Sequence, residues 1–224
     1  MNKVSAIILA GGKGKRMGSG LSKQFLELKK KPMLYYTLNK FLNNGNVHEI
    51  ILVLPKDEID YCKREILDKY KLKVDRIVIG GKERSDSVYN GLRVIEDSSI
   101  VLIHDGARPF VSNRIINEGV EYAKKYGATA CGVTPKDTIK IIDSSGFSKE
   151  TPNRNTLIAI QTPQSFDYKF ILEAHEWARK KELVVTDDTM VAEAYGKKVF
   201  IYEGDYTNIK ITTPDDLILA EKLV

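Results

Sequence analysis

Cysteine is scarce: Cys62 and Cys131 are the only two in 224 residues. Two thiols form at most one bridge, which excludes a small disulfide-stapled scaffold and leads us to expect reduced thiols. Cys131 lies in the apolar stretch ATACGVTP, where a free cysteine serves as a small core residue. Histidine is nearly as rare. His48, His104 and His175 are scattered, and HEWAR at 175–179 carries arginine where a zinc-binding H-E-x-x-H helix needs its second histidine. No zinc site is expected. Long apolar runs are missing too, since none approaches the roughly 18 residues of a membrane span. Gly11 and Gly12 interrupt the first apolar stretch and basic residues follow it, which is not the pattern of a signal peptide. A cytoplasmic protein without membrane partners is expected. Internal repeats, low-complexity tracts and linkers are also lacking, so 1–224 is expected to form one domain.

What is present is a mildly basic surface. The chain is 42% hydrophobic and 29% charged, with a net charge of +5, which favours anionic partners. Nucleic acid is not expected, because the basic residues are not interleaved with stacking aromatics and no nucleic-acid-binding signature occurs. Lys29, Lys30 and Lys31, just before Pro32, read as a solvated turn. Lys13, Lys15, Arg16 and Lys23 differ, because they surround one glycine-rich turn. A compact polyphosphate suits them better than a duplex.

Short β-rich runs alternate with segments of helical period. Strands are expected at 4–9, 49–54, 75–79, 100–103, 128–133 and 198–202, and helices at about 33–43, 57–70, 85–96, 112–126, 167–181 and 187–195. That order predicts βαβ units in an α/β, Rossmann-like fold, a mostly parallel sheet with helices on both faces. The continuous run IILVL at 50–54 suits a strand covered on both sides. Ligands of such sheets bind beyond the carboxyl ends of the strands, where LAGGKGKRM and IHDGARPF both fall. Residues 136–161 break the rhythm: a strand pattern, the turn residues Asp143 to Gly146, and a polar stretch with Pro152 predict a projecting β-hairpin arm. Insertions of that length tend to be functional, through dimerisation or substrate capture.

The glycine loop at 9–18 fails two common phosphate motifs. Walker A spacing from Gly11 reaches Arg16 where glycine is needed, and a dinucleotide fingerprint from Gly12 finds Gly14 and then Met17. What remains is a turn whose backbone N–H groups can approach phosphate oxygens, followed by Arg16 and Lys23. At the other end, Thr213, Pro214 and Asp216 form a helix start that fixes the chain just after Lys210. In SIVLIHDGARPF, Asp105 can hold Mg²⁺ or a substrate hydroxyl, and Arg108 can grip a phosphate or pair internally with Asp105.

LAGGKGKRM, KQFLEL, GGKERSDSV, HDGARPF, KDTIK, TPNR, QTPQSF, TDD and YTNIKITTPDDL, in that order over nearly the whole chain, resemble the 2-C-methyl-D-erythritol 4-phosphate cytidylyltransferase family. The resemblance implies CTP and methylerythritol phosphate as substrates, Mg²⁺ as the metal, and a homodimer clasped through the arm. By motif, Ala10, Gly11, Gly12 and Gly14 would line the nucleotide site, with Arg16, Lys23 and Lys210 as catalytic cations on the phosphates. Gly81, Lys82 and Ser87 would lie near the base. Asp105 would meet the metal and the acceptor, and Arg108, Thr138, Thr162 and Arg154, the last reaching in from the partner's arm, would hold the acceptor. Ser22 stands where the family usually has proline, so a less rigid loop is expected. The double glycine after Ala10 is shared with ribitol-5-phosphate cytidylyltransferases, which leaves the acceptor open, and a catalytically silent nucleotide-binding protein is the alternative of another class.

Overall fold

Alternation of side chains along the strands explains the layering. In the computed structural model, which describes residues 3–11 and 22–224, β1 (Val4–Leu9) is followed by a single 3₁₀ turn at Lys23–Phe25 and a minimal hairpin, β2 (Glu27–Leu28) and β3 (Lys31–Pro32). Then come α1 (Met33–Leu42), β4 (Glu49–Leu54), α2 (Ile59–Cys62), β5 (Arg76–Ile79), α3 (Arg84–Leu92) and β6 (Ile100–Asp105). The second half runs α4 (Asn113–Tyr126), β7 (Ala128–Val133), β8 (Ile141–Ile142), β9 (Ser148–Glu150), β10 (Ala159–Asp167), α5 (Tyr168–Lys180), α6 (Asp188–Ala194), β11 (Phe200–Glu203) and α7 (Pro214–Leu223).

Among the described residues the main sheet has the order β11-β7-β10-β6-β1-β4-β5. All its ladders are parallel except the two made by β10, which runs antiparallel between β6 and β7. Ala6, Ile8, Leu52 and Leu102 point to one face and pack with Leu34 and Phe41 of α1 and Ile116 of α4. The residues next in register, Ile7, Ile51, Val53 and Val101, point to the other face against Val88 of α3, Ile171 of α5 and Val191 of α6. Burying each such side chain fully contributes roughly 1.5–3 kcal/mol, so both faces of the sheet must stay covered. This is the expected α/β architecture.

Three expectations need correction. The predicted helix at 57–70 is unbroken but not α-helical throughout: a 3₁₀ turn at Lys56–Glu58 leads into α-helix at Ile59–Cys62, a wider π-type stretch at Lys63–Asp68 and α-helix again at 69–70. The strand ending in LIHD continues through Asp105, so Asp105 is its last residue. The segment 136–161 does contain a hairpin, β8 against β9, with Asp143 accepting from the backbone N–H of Ser145 at 2.9 Å and Phe147 at 3.0 Å to close the turn. Its last residues, however, belong to the central sheet as the start of β10. The ladder slips between Ile160 and Gln164, and Pro163, with no N–H to donate, sits in that irregularity.

Candidate active site

Beyond the carboxyl ends of β1, β5 and β6 lies a cleft of about 310 Å³, lined by Ala10, Gly11, Lys23, Gln24, the loop Gly81 to Arg84, Ser87, Asp105, Ala107 and Lys210. It gathers eight of the residues singled out from the sequence: Ala10, Gly11, Lys23, Gly81, Lys82, Ser87, Asp105 and Lys210. Gly12, Gly14 and Arg16 lie outside the described residues. Arg108 and Thr162 pack behind Asp105, and Thr138 and Arg154 belong to the arm and do not line the cleft. Arg154 donates within its own arm to the Lys136 carbonyl at 3.0 Å.

Both lysines are held by built local structure. Lys210 precedes α7, whose capping box closes as the sequence predicts: the Thr213 hydroxyl accepts from the Asp216 N–H at 3.3 Å, and the Asp216 carboxylate accepts from the Thr213 N–H at 2.9 Å. The Ile211 N–H donates to the Ala107 carbonyl at 2.9 Å, and Ile211, Ala107 and Ala220 share a small core with Leu28 that anchors α7 beside β2. Lys210 Nζ thus stands 2.9 Å from Asp105 Oδ2. Lys23 rides on the 3₁₀ turn and reaches the Ile211 carbonyl at 3.4 Å, next to Lys210 in the chain. Its two neighbours are tied to one carboxylate, since Glu58 accepts from the Ser22 hydroxyl and from Gln24 Nε2 at 2.8 Å.

The opposite wall is the turn from β5 into α3. A side chain on Gly81 would bring its Cβ within 2.1 Å of the Asp86 Cβ, so only glycine permits this close approach. Ser87 accepts from the Gly81 N–H at 3.0 Å and donates to the Glu83 carbonyl at 3.2 Å, which fixes the turn to the helix. Glu83 and Asp86 form a second capping box, and Arg84 is the first residue of α3.

Asp105 is the electrostatic centre. Burial alone pushes its carboxyl up, but Lys210, Arg84 and Arg108 outweigh that and hold it well below the usual carboxylate range. Arg84 Nε lies 3.6 Å from Oδ1 and Arg108 Nε 3.6 Å from Oδ2. Arg108 also donates to the Asn208 carbonyl at 2.8 Å, so the internal Asp–Arg pair considered from the sequence is formed. Thr162 Oγ1 accepts from the Asp105 N–H at 3.1 Å. Among the described residues no group of three histidine, cysteine or acidic side chains could cage a metal. The Asp105 carboxylate facing a phosphate-sized cleft does fit Mg²⁺, which takes most of its ligands from phosphates and water.

The arrangement sets Asp105 among cations at the rim of a parallel sheet, ready to receive more negative charge. A model of the family described as 2-C-methyl-D-erythritol 4-phosphate cytidylyltransferase matches residues 4–224. The chain belongs to that family. Proteins of this name from Clostridium beijerinckii and Clostridium perfringens are 62% identical over 99% of the chain and 58% identical over all of it, and the alignments cover 98% and 100% of those proteins. The crystal structure of 4-diphosphocytidyl-2C-methyl-D-erythritol synthase from Anaerococcus prevotii superposes with a TM-score of 0.88 at 37% identity, over 99% of this chain and 96% of that one. The cytidylyltransferase structure from Francisella tularensis gives 0.83 at 29% identity, with full coverage of both chains.

The sequence reading missed five cleft residues, the apolar Leu9 and Ala107 and the polar Gln24, Glu83 and Arg84. Arg84 carried a usable signal: E-R-S-D after a double glycine is a helix-start pattern that sets arginine in the first turn, facing the same rim as the glycine loop. No described helix is long and apolar enough to cross a membrane.

Proposed function

We propose that this protein transfers CMP from CTP to 2-C-methyl-D-erythritol 4-phosphate and releases pyrophosphate. A phosphate oxygen of the acceptor attacks the α-phosphorus in line, the new P–O bond forms, and the bond to the pyrophosphate oxygen breaks. The convergence of Lys23 and Lys210 on the cleft beside Asp105 carries this reading. The attacking oxygen is already anionic, so the task is to align two repelling anions and to stabilise added negative charge. Lys23, Arg16 and Lys210 are assigned to the phosphates, Arg108 to the acceptor side, and the Gly81 to Ser87 turn to the base. Asp105 would hold Mg²⁺ together with substrate phosphates, and the ion would supply further neutralisation of the developing charge.

We assign Thr138 and Arg154 to the cleft of a second copy, in a homodimer clasped by the arms. Supporting this, the arm presents Ile141, Ile142 and Phe147 to solvent, with Phe147 73% exposed. Two free, buried cysteines suit the reducing cytoplasm.

A pyrophosphate-release assay crossing CTP, UTP and ATP with methylerythritol phosphate and ribitol phosphate, with and without Mg²⁺, tests the assignment. Release is expected with CTP, methylerythritol phosphate and Mg²⁺ together. Turnover of ribitol phosphate alone would move the acceptor to the sister family. A folded protein inactive with both acceptors would favour a silent nucleotide binder.

A further inference from the structure

The TDD motif at 186–188 takes no part in the reaction above, yet it is bound into the molecule more tightly than most of the cleft. Asp187 caps α6 by accepting from the Met190 N–H at 2.9 Å, and it also accepts from Gln164 Nε2 at 2.8 Å. Asp188 is 1% exposed. Its N–H donates to Gln164 Oε1 at 2.9 Å, its Oδ1 lies 3.2 Å from His175 Nε2, and its Oδ2 lies 2.8 Å from a terminal nitrogen of Arg84. Arg84 then faces Asp105 Oδ1 through its Nε. A ladder of alternating partners therefore runs from the core side of α5 into the cleft: His175, Asp188, Arg84, Asp105.

A fully buried carboxylate is costly, and an apolar residue of similar size often serves stability as well or better. The stability of α6 does not demand this one, because Asp187 already caps the helix. The geometry offers another use. Asp105 Oδ2 is held by Lys210 and faced by Arg108, whereas the described ion-pair partner of Oδ1 is Arg84. Without a fixed group at Oδ1 the carboxylate is pinned through Oδ2 alone, and its last torsion, broad for an sp³–sp² bond, is less restricted. Arginine can bridge two carboxylates through separate nitrogens of one rigid, planar fork, a geometry that lysine's single ammonium does not reproduce.

We propose that Asp188, braced by His175, is a positioning residue that locks Arg84 against Asp105 and so sets the orientation of that carboxylate towards the substrates. This rests on the function proposed above, and its test therefore has an arm that needs no turnover. In ¹⁵N–¹H spectra of the full chain, the Arg84 Nε–H signal, assigned by its loss in Arg84→Lys, is expected to be resolved and slow to exchange with solvent. In Asp188→Asn it is expected to move into the exposed-arginine envelope and exchange quickly. In kinetics, Asp188→Asn and Arg84→Lys are each expected to lower kcat by about tenfold or more with KM for CTP changed less than about twofold. The double variant should be no worse than Arg84→Lys alone, because Asp188 acts through Arg84. His175→Gln, a milder change, keeps the idea testable if Asp188→Asn does not fold, and it should weaken the protection of the same signal. An Arg84 signal unaltered in both Asp188→Asn and His175→Gln, additive kinetic losses, or a lower melting temperature with unchanged kcat would each overturn the proposal. A wild type inactive with every substrate would instead sink the function, with the spectroscopic result still standing or falling by itself.

Discussion

His104 is fully buried at the end of β6, and burial favours its neutral ring. Its Nε2–H donates to the Arg108 carbonyl at 3.2 Å, and its Nδ1 accepts from the Thr162 hydroxyl at 3.1 Å, which itself accepts from the Asp105 N–H. Burial pushes the imidazole pKa down to about 4, despite the neighbouring Asp105 charge. The unfolded chain takes up this proton near pH 6.5 and the folded chain only near 4. Stability from this residue is therefore complete above pH 6.5 and is lost as the pH falls to 4, by roughly 3 kcal/mol. Urea unfolding of the wild type and His104→Gln across that range should show the variant lacking this part of the decline; parallel curves would refute it. At this scale the sequence exposes some residues and conceals others. Lys23, Asp105 and Lys210 stand beside strand ends or helix starts, where chain geometry alone puts them on the rim. Asp188 and Arg84 are 104 positions apart and meet only because α3 and α6 both pack on α5, so no local pattern announces the pair.

Among the elements, α7 is the most legible, because its start signals are local: hydroxyl cap, proline, carboxylate. The turn carrying Lys23 is tied to α2's approach by side chains, while the glycine loop before it lies outside the described residues. Ser22, in the place usually held by proline, sits at φ −61°, which proline would also adopt, and its hydroxyl joins Gln24 on the Glu58 carboxylate. A side-chain clamp stands in for a ring constraint. Glu58→Ala is expected to lower kcat about tenfold, against roughly 10²-fold or more for Lys23→Ala, whose charge acts on the transition state directly. Adding Ser22→Pro to Glu58→Ala should recover most of the loss by restricting the free chain. No loss in the single variant, or no recovery in the double, would show that Glu58 does not set the turn. β10 was illegible for the opposite reason. Gln161, Thr162, Gln164 and Ser165 are all buried, and Pro163 stands among them, so neither alternation nor β-branched content marks a central strand. Its polar side chains are buried because several of them bond to Asp105, His104, Asp187, Asp188 and Asp205, which the one-dimensional pattern cannot show.

For the whole molecule, the proposed dimer makes a quantitative prediction. If Arg154 serves the partner's cleft, a chain with Lys23→Ala paired with a chain with Arg154→Ala gives one site lacking both residues and one lacking neither. With equal amounts and random exchange, half the dimers are mixed and half of their sites are intact, so activity should approach about a quarter of wild type. A doubly tagged mixed dimer without activity would show that Arg154 works in its own chain. The sheet itself adds a separate consequence. Strands β7 and β10 are neighbouring antiparallel partners, with Val133 opposite Ala159, so everything between them is one long hairpin connection whose two ends are pinned on adjacent rungs. Doubling the length of a flexible connection costs only about 0.6 kcal/mol in closure entropy. The arm is thus an insertion port: its reach and its contact chemistry can drift in evolution, or a reporter can be grafted at the Asp143 to Gly146 turn, while the ladder beneath keeps its register and the cations keep their places.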